Sequence, residues 1–93
     1  MSRTLVKSPR FTRTAKRIIK SDPVAANSIQ AALETLVHDP SDPRLKTHKL
    51  AGKLDNVWAC SAGYDLRILF QFIEEDGREA ILLLAVGTHD EVY

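Results

Sequence analysis

The first half of the chain spaces its hydrophobic residues at helical intervals, whereas the second half alternates hydrophobic and polar residues. In the stretch SPRFTRTAKRIIK, the apolar residues recur at helical spacing, which predicts an amphipathic helix; they are Phe11, Ala15, Ile18 and Ile19. Ser8 is placed to cap this helix, and Pro9 occupies its first position. The arginines and lysines of the stretch then lie on its other faces.

A second helix is predicted from residue 23 onward, and its apolar side chains over residues 24–37 form one continuous stripe. Asp22 is its expected N-cap, with Pro23 at the first helical position. The stretch HDPSDPR that follows contains two prolines and no periodicity, so we expect a loop there. Ahead of both helices, Thr4–Lys7 is interpreted as a short first strand.

The second half of the chain predicts three antiparallel strands. Residues 57–61 form the first strand, and a turn follows at 62–64. The stretch DLRILFQFIE predicts the second strand, because every second residue is apolar and faces one side while the residues between them are a mixture of apolar and polar. Asp76 and Gly77 are typical of a tight hairpin turn, and residues 79–86 return as the last strand. The whole pattern predicts an α+β domain whose two helices pack on one face of an antiparallel sheet.

After the last strand the sequence reads VGTHDEVY. We expect a polar turn at residues 87–90, in which Gly87 lets the backbone bend away from the sheet. Such a turn would present His89 toward Arg67, and Tyr93 would follow it four residues later. If this ending is ordered, His89 and Tyr93 are its two side chains best able to meet a substrate.

Length and composition indicate one domain over residues 1–93. The longest apolar run, residues 80–86, is too short to span a bilayer, and the N-terminal stretch has no signal-peptide pattern. A single cysteine, Cys60, provides neither a disulfide framework nor a metal cluster. We expect a cytoplasmic protein that uses no metal or other cofactor and does not contact membranes.

Charge is distributed unevenly along the chain. The formal net charge is +1, so bulk electrostatics do not indicate a nucleic-acid partner. However, most arginines and lysines lie in residues 1–53, and most acids lie after them. This asymmetry fits either a basic binding face on a neutral protein or ordinary solvated helix faces.

Two stretches, HKLAGKLDNVWACSAGYDLRILFQF and VGTHDEVY, resemble the RelE/ParE superfamily of bacterial toxins, specifically its RelE- and YafQ-like ribosome-dependent mRNA interferases. The resemblance lies in a KL-x-G loop, a GYR-L-x-Y-like strand and a closing G-[basic]-…-[YF] pattern, in that order. It implies a RelE-like β-α-α-β-β-β fold in which the first strand joins the hairpins. It also implies a type II toxin, an endoribonuclease that cleaves mRNA in the ribosomal A site and is silenced by a cognate antitoxin.

Cleavage of this type requires no metal, because the 2′-hydroxyl attacks the adjacent phosphate. The reaction needs a base, an acid and cations that hold the phosphorane. The resemblance implies proton-transfer roles for His48 in THKLAGK and His89 in GTH, since histidine serves as base or acid near neutral pH. Each could instead be a surface histidine in a polar loop.

Arg67 matches the strand arginine of the family that contacts the scissile phosphate, and its planar fork can grip two oxygens. The alternative is a cross-strand ion pair with an acid such as Glu79. Tyr93 matches the closing aromatic that stacks on an mRNA base, although it could simply pack against the last strand.

Three lysines flank His48 in the sequence: Lys46, Lys49 and Lys53. They could neutralise the backbone of mRNA or ribosomal RNA, or they could be solvated loop residues.

Asp65 is a further candidate, because the YafQ-like branch has an aspartate in this region. A gapless alignment places that aspartate on Leu66, and the slot of the branch's second-strand histidine is Ala62. The identities of base and acid therefore stay open. Trp58 and Tyr64 are expected to pack.

Two alternatives to the enzyme stay open on the same fold. One is a non-enzymatic inhibitor of DNA gyrase, like the ParE branch. The other is an inactive member that serves as an antitoxin-binding scaffold. A fold alone does not choose among them.

Overall fold

The computed structural model describes residues 3–50 and 56–92. Its elements follow one another in an order that agrees with the predicted β-α-α-β-β-β plan and adds a short strand and a terminal helical turn. They are β1 (Thr4–Lys7), α1 (Pro9–Ser21), α2 (Val24–His38), a 3-10 turn (Pro43–Leu45), β2 (His48–Lys49), β3 (Trp58–Ser61), β4 (Leu66–Glu75), β5 (Arg78–Thr88) and α3 (His89–Val92).

The start of α1 is as predicted. The Ser8 side chain accepts a hydrogen bond from the Phe11 backbone N–H at 3.1 Å, and Pro9 occupies the first turn. The start of α2 differs, because Pro23 is its N-cap and no side chain caps it. Asp22 is used at the end of α1 instead, where its backbone N–H donates to the Ile18 carbonyl at 2.8 Å.

Within the described residues the strands form a sheet of order β1-β5-β4-β3-β2. Neighbouring strands pair antiparallel, as predicted, except that β1 pairs parallel with β5. The long connection between β1 and β5, which contains both helices and the other three strands, permits this parallel pair. The α+β class predicted from the sequence is confirmed.

The tight turn between β4 and β5 is also as predicted. Glu75 pairs with Arg78 across it, and the two turn residues Asp76 and Gly77 have φ values of 52° and 76°. Positive φ at both positions defines the turn type whose twist matches that of a hairpin.

The sheet has a helix face and an open face, which we define by their side chains. On the helix face, Ile68 and Phe70 of β4 pack with apolar residues of α1 and α2 in the main core. On the open face, Leu69 packs in a smaller cluster with Val57, Ala59 and partly buried neighbours. This division matches the alternation predicted for DLRILFQFIE.

A β-bulge in β5 was not predicted and completes the core. Leu69 pairs with Ala85, but Phe70 pairs with Leu83, so Leu84 is an extra residue in β5. Without it, strict alternation would place Val86 on the face opposite Ile81 and Leu83. The bulge lets all three join the main core, where each is fully buried.

In the part of the chain that the structure describes, no helix is long and apolar enough to cross a membrane.

Candidate functional site

An open pocket of about 400 Å³ lies where β3 and β4 meet their connecting loop. It brings together three residues that the sequence singled out, Lys46, Asp65 and Arg67, and four that it did not assign a role. The full lining is Arg44, Lys46, Ser61, Gly63, Tyr64, Asp65 and Arg67. We call this the Arg67 pocket.

Arg67 lies in the middle of the sheet, opposite Ser61 of β3 and Gly87 of β5. Arg67 is half-buried as a residue, and its Nη1 donates to the Leu66 carbonyl at 3.0 Å. The alternative cross-strand pair with Glu79 is wrong, because Glu79 opposes Glu74 and its carboxylate contacts Arg3. Arg67 is therefore held on the open face without an acid across from it.

The β3–β4 loop shapes one wall of the pocket. Gly63 and Asp65 have φ values of 77° and 68°, a region that glycine enters freely and aspartate tolerates. A Cβ at Gly63 would meet the Ser28 hydroxyl at 2.9 Å, so α2 also requires glycine there. Tyr64 between them is 99% exposed, so the expectation that it packs is wrong.

The opposite wall carries cations from the segment before β2. Arg44 is held by Asp42 through two contacts, Nε to Oδ1 at 3.0 Å and Nη2 to Oδ2 at 2.8 Å, and this arginine lowers the pKa of Asp42 to about 2. Lys46 follows with a φ of 51°. Within residues 3–50 and 56–92, neither Lys46 nor Arg67 forms an ion pair. The pocket therefore offers two cations to an anionic ligand.

His48 lies near this pocket but does not line it. His48 pairs with Ala59 of β3, and Ala59 pairs with Leu69 of β4, so the His48 side chain projects from the open face. Because β2 is two strands from β4, His48 lies about 10 Å from β4. Its Nδ1 lies 3.0 Å from the Lys46 carbonyl oxygen. That oxygen can only accept, so Nδ1 donates and Nε2 is the acceptor of a neutral ring.

Two of the three predicted lysines are described. Lys46 lines the Arg67 pocket, whereas Lys49 is exposed on the edge strand and pairs with Trp58 of the helix face. Lys53 lies outside the described residues. Trp58 packs as expected, edge to face against Phe72 at 5.5 Å between ring centroids.

The expected polar turn at residues 87–90 is wrong. β5 continues through Thr88, with Gly87 opposite Arg67 and Thr88 opposite Leu66, and α3 begins at His89. Glu91 stabilises this start, since its Oε1 accepts from the Thr88 backbone N–H at 2.9 Å. The order Thr-His-Asp-Glu is a capping-box pattern, and that signal in the sequence could have predicted the helix.

Gly87 is needed for close approach rather than for a bend. A Cβ there would lie 3.0 Å from Val92 Cγ1 and 3.1 Å from Glu91 Cβ, so α3 packs directly over the strand beside Arg67.

His89 follows the end of β5, at the same end of the sheet as Asp65. Its side chain is 61% exposed, and its Nδ1 lies 3.6 Å from Asp90 Oδ1. It does not line the Arg67 pocket, and Tyr93 lies outside the described residues.

The buried cysteine is not suited to nucleophilic chemistry. Burial raises the pKa of the Cys60 thiol to about 12, so the thiolate that cysteine chemistry requires is suppressed. In the described ranges, no group of three or more His, Cys, Asp or Glu side chains is placed to hold a metal ion.

This fold is shared with solved bacterial toxins. A chain of the E. coli DinJ-YafQ toxin-antitoxin complex matches with a TM-score of 0.77 at 15% identity, over 100% of this chain and 99% of that chain. A YoeB/ParE toxin from Agrobacterium tumefaciens matches at 0.77 and 13% identity, over 92% and 98%. A conserved hypothetical protein from Helicobacter pylori matches at 0.61 and 25% identity, over 98% and 99%.

No curated protein sequence matches the chain. A family model does: the ParE toxin of type II toxin-antitoxin systems, parDE, over residues 5–93. Because this match spans nearly the whole chain, the protein belongs to the ParE toxin family, and the predicted RelE/ParE resemblance is confirmed. It is a toxin of a type II toxin-antitoxin system.

Proposed function

We propose that this toxin is a metal-independent, ribosome-dependent endoribonuclease that cleaves mRNA in the ribosomal A site and thereby inhibits translation. The observation that supports this most is the Arg67 pocket. Lys46 and Arg67 line it together without ion pairs among the described residues, and Asp65 lies beside them. A pocket with two available cations and a carboxylate suits a phosphate that gains charge while a proton is removed nearby.

In the proposed reaction, the 2′-oxygen of one nucleotide attacks the adjacent phosphorus, and the bond to the 5′-oxygen of the next nucleotide breaks. The products are a 2′,3′-cyclic phosphate and a 5′-hydroxyl. Arg67 grips two phosphate oxygens and stabilises the phosphorane. A base takes the 2′-hydroxyl proton and an acid protonates the leaving oxygen, with His48, His89 and Asp65 as the groups in the region able to do so.

Two further elements belong to the proposal. Tyr93 stacks on a base beside the cleaved bond, and Lys46, Lys49 and Lys53 contact mRNA or ribosomal RNA backbone. A cognate antitoxin silences the toxin in the cytoplasm, as the similarity to the DinJ-YafQ toxin-antitoxin complex suggests. The chain acts as one domain over residues 1–93.

Gyrase inhibition is the second candidate function, because the matching family model is that of ParE toxins. A gyrase inhibitor binds its target without phosphoryl chemistry, so it has no need of the paired cations and carboxylate in the Arg67 pocket. An inactive scaffold that binds the antitoxin would need them even less.

Induction of the toxin in cells, with mapping of mRNA 5′ ends, tests the proposal. We expect new 5′ ends inside translated frames, and little cleavage of the same RNA without ribosomes. Arg67→Ala should lower cleavage roughly 10²- to 10³-fold, because one preorganised charge at the phosphorane is lost. Arg67→Lys should recover part of this, since it keeps the charge and loses the fork.

Arg78→Ala is the matched control, because Arg78 is exposed at the far end of the same hairpin. It should cleave at the native rate. Intact mRNA together with damaged DNA would instead support gyrase inhibition, and full activity in a folded Arg67→Ala protein would remove the phosphate role of Arg67.

A further inference from the structure

A second cavity of about 590 Å³, larger than the Arg67 pocket, lies between α1 and the end of β5. Its charged lining is dominated by three arginines on one face of α1, at positions i, i+3 and i+7. The lining residues are Arg10, Arg13, Thr14, Arg17, Ala85, Val86, Glu91 and Val92. We call this the arginine groove.

The groove is built by hydrogen bonds that fix α1 against the edge of β5. The Ser8 hydroxyl donates to the Leu84 carbonyl at 3.1 Å, and the Val86 backbone N–H donates to the Thr14 hydroxyl at 3.1 Å. Because α1 is attached at two points along the strand, its arginine row has a fixed position beside the sheet.

One anion of the protein already lies in the groove. Glu91 Oε2 lies 3.1 Å from Arg17 Nη2, while Oε1 accepts from the Thr88 backbone N–H. The Thr88 N–H and hydroxyl, followed by the charge of Arg17, hold the pKa of Glu91 below its usual value. The groove therefore binds one ionised carboxylate and keeps an excess of positive charge on α1.

The groove and the Arg67 pocket are separated by α3. Gly87 pairs with Arg67 on one side, and Glu91 and Val92 pack over the same glycine and line the groove on the other. A single strand that enters the Arg67 pocket could therefore continue past α3 to the arginine row.

We propose that the arginine groove binds consecutive backbone phosphates of single-stranded RNA, and that Glu91 is an internal anion that competes with them for Arg17. This inference rests on the proposed function, since it extends the RNA path from the Arg67 pocket. The arginines step along the helix axis by about 4.5 Å and about 6 Å. Such a row matches a polymer whose charges recur along its backbone better than it matches a single acidic side chain.

The test measures binding of a 2′-O-methyl RNA oligonucleotide to the full-length toxin by fluorescence anisotropy over a series of salt concentrations. The 2′-O-methyl group removes the nucleophile, so binding is observed without cleavage. Arg13→Gln should weaken binding and reduce the slope of log affinity against log salt by about 0.7, the value of one phosphate contact on a single strand. Arg78→Gln, the same change outside the groove, should leave the slope unchanged.

Glu91→Gln should tighten binding roughly two- to five-fold, the size of one exposed ion pair. Glutamine can still accept the Thr88 N–H bond, so the cap of α3 is retained while the competing charge is lost. Glu74→Gln, an equal change of net charge near the hairpin turn, should have a smaller effect. This comparison separates local competition from a general gain of positive charge.

Equal salt slopes for Arg13→Gln and Arg78→Gln would overturn the inference, as would equal gains for Glu91→Gln and Glu74→Gln. Either result would leave Arg67-dependent mRNA cleavage untouched, because the oligonucleotide reports binding alone. Conversely, intact mRNA in cells together with the expected groove effects would remove the nuclease function and keep the groove as an RNA-binding site.

Discussion

The two faces of β4 differ in what their side chains do, although the residues alternate along one strand. On the helix face, Ile68 and Phe70 are completely buried against α1 and α2. On the open face, Leu69 packs in a small cluster, and Arg67 two residues earlier lines an open pocket. The helix face is thus determined by packing, and the open face is left available for binding and chemistry.

This contrast explains why a charged residue is tolerated in the middle of the sheet. Burying an arginine without a partner is costly, and on the helix face Arg67 would displace core volume. On the open face Arg67 is only half-buried and lines the pocket. A polar residue that interrupts an apolar strand therefore marks a candidate binding face, provided that the alternation assigns the two faces correctly.

The largest expected effect distinguishes the two faces by stability. Phe70→Ala should lower the free energy of unfolding by about 3–5 kcal/mol, because it empties the main core beside Phe72. Leu69→Ala should cost less, about 2–3 kcal/mol, since Leu69 is buried in a smaller cluster that is completed by partly buried residues, which can relax. Urea unfolding of the purified proteins measures both.

A cost for Leu69→Ala equal to that of Phe70→Ala would contradict the comparison. It would mean that the open face is as tightly packed as the core and is not free to serve as a binding surface.

Most of the fold could be predicted from the sequence because it depends on local signals. The Ser8 cap, the Asp76–Gly77 turn and the alternation in β4 each act within a few residues. The parallel pairing of β1 and the bulge at Leu84 could not be predicted, because both depend on contacts between segments far apart in the chain. The helical turn α3 was missed although its capping pattern is local.

The site could be predicted less completely. Arg67, Lys46 and Asp65 were named from the sequence and line one pocket, whereas Arg44, Ser61 and Tyr64 join them through strand register and loop geometry that the sequence does not reveal. His48 and His89 lie on the neighbouring strand and helix outside that lining. The role of Tyr93 stays a prediction.

A smaller effect, in catalysis rather than stability, tests whether the open face extends to α3. His89→Gln should lower cleavage on ribosomes by roughly 10²-fold, the lower end for a lost acid or base, with ribosome binding and urea stability largely retained. The exposed position of His89 makes a structural effect small. Cleavage at native rate by His89→Gln would place proton transfer elsewhere.

His48→Gln is the matched variant, since it is the same substitution on β2, with Nδ1 at the Lys46 carbonyl. A loss confined to His48→Gln would make the β2 side of the Arg67 pocket the source of the proton transfer. A loss in both variants would support a proton-transfer role for each histidine.

The smallest expected effect is local and depends on pH. Hydrogen bonds from Thr88 and the charge of Arg17 lower the pKa of Glu91 from its ordinary value of 4.5. These contacts therefore stabilise α3 fully above about pH 4.5. Their contribution is lost as the pH falls through the lowered pKa that Glu91 has in the folded protein. Because Glu91 is exposed and its neutral carboxyl can still accept from the Thr88 N–H, the loss should loosen α3 on the open face without unfolding the core. In NMR spectra the Thr88 amide should shift on acidification while Phe70 stays unchanged, and Glu91→Gln should abolish the Thr88 shift. A Thr88 shift that persists in Glu91→Gln would show that another titrating group anchors α3. The charge of Glu91 would then have no part in holding α3 in place.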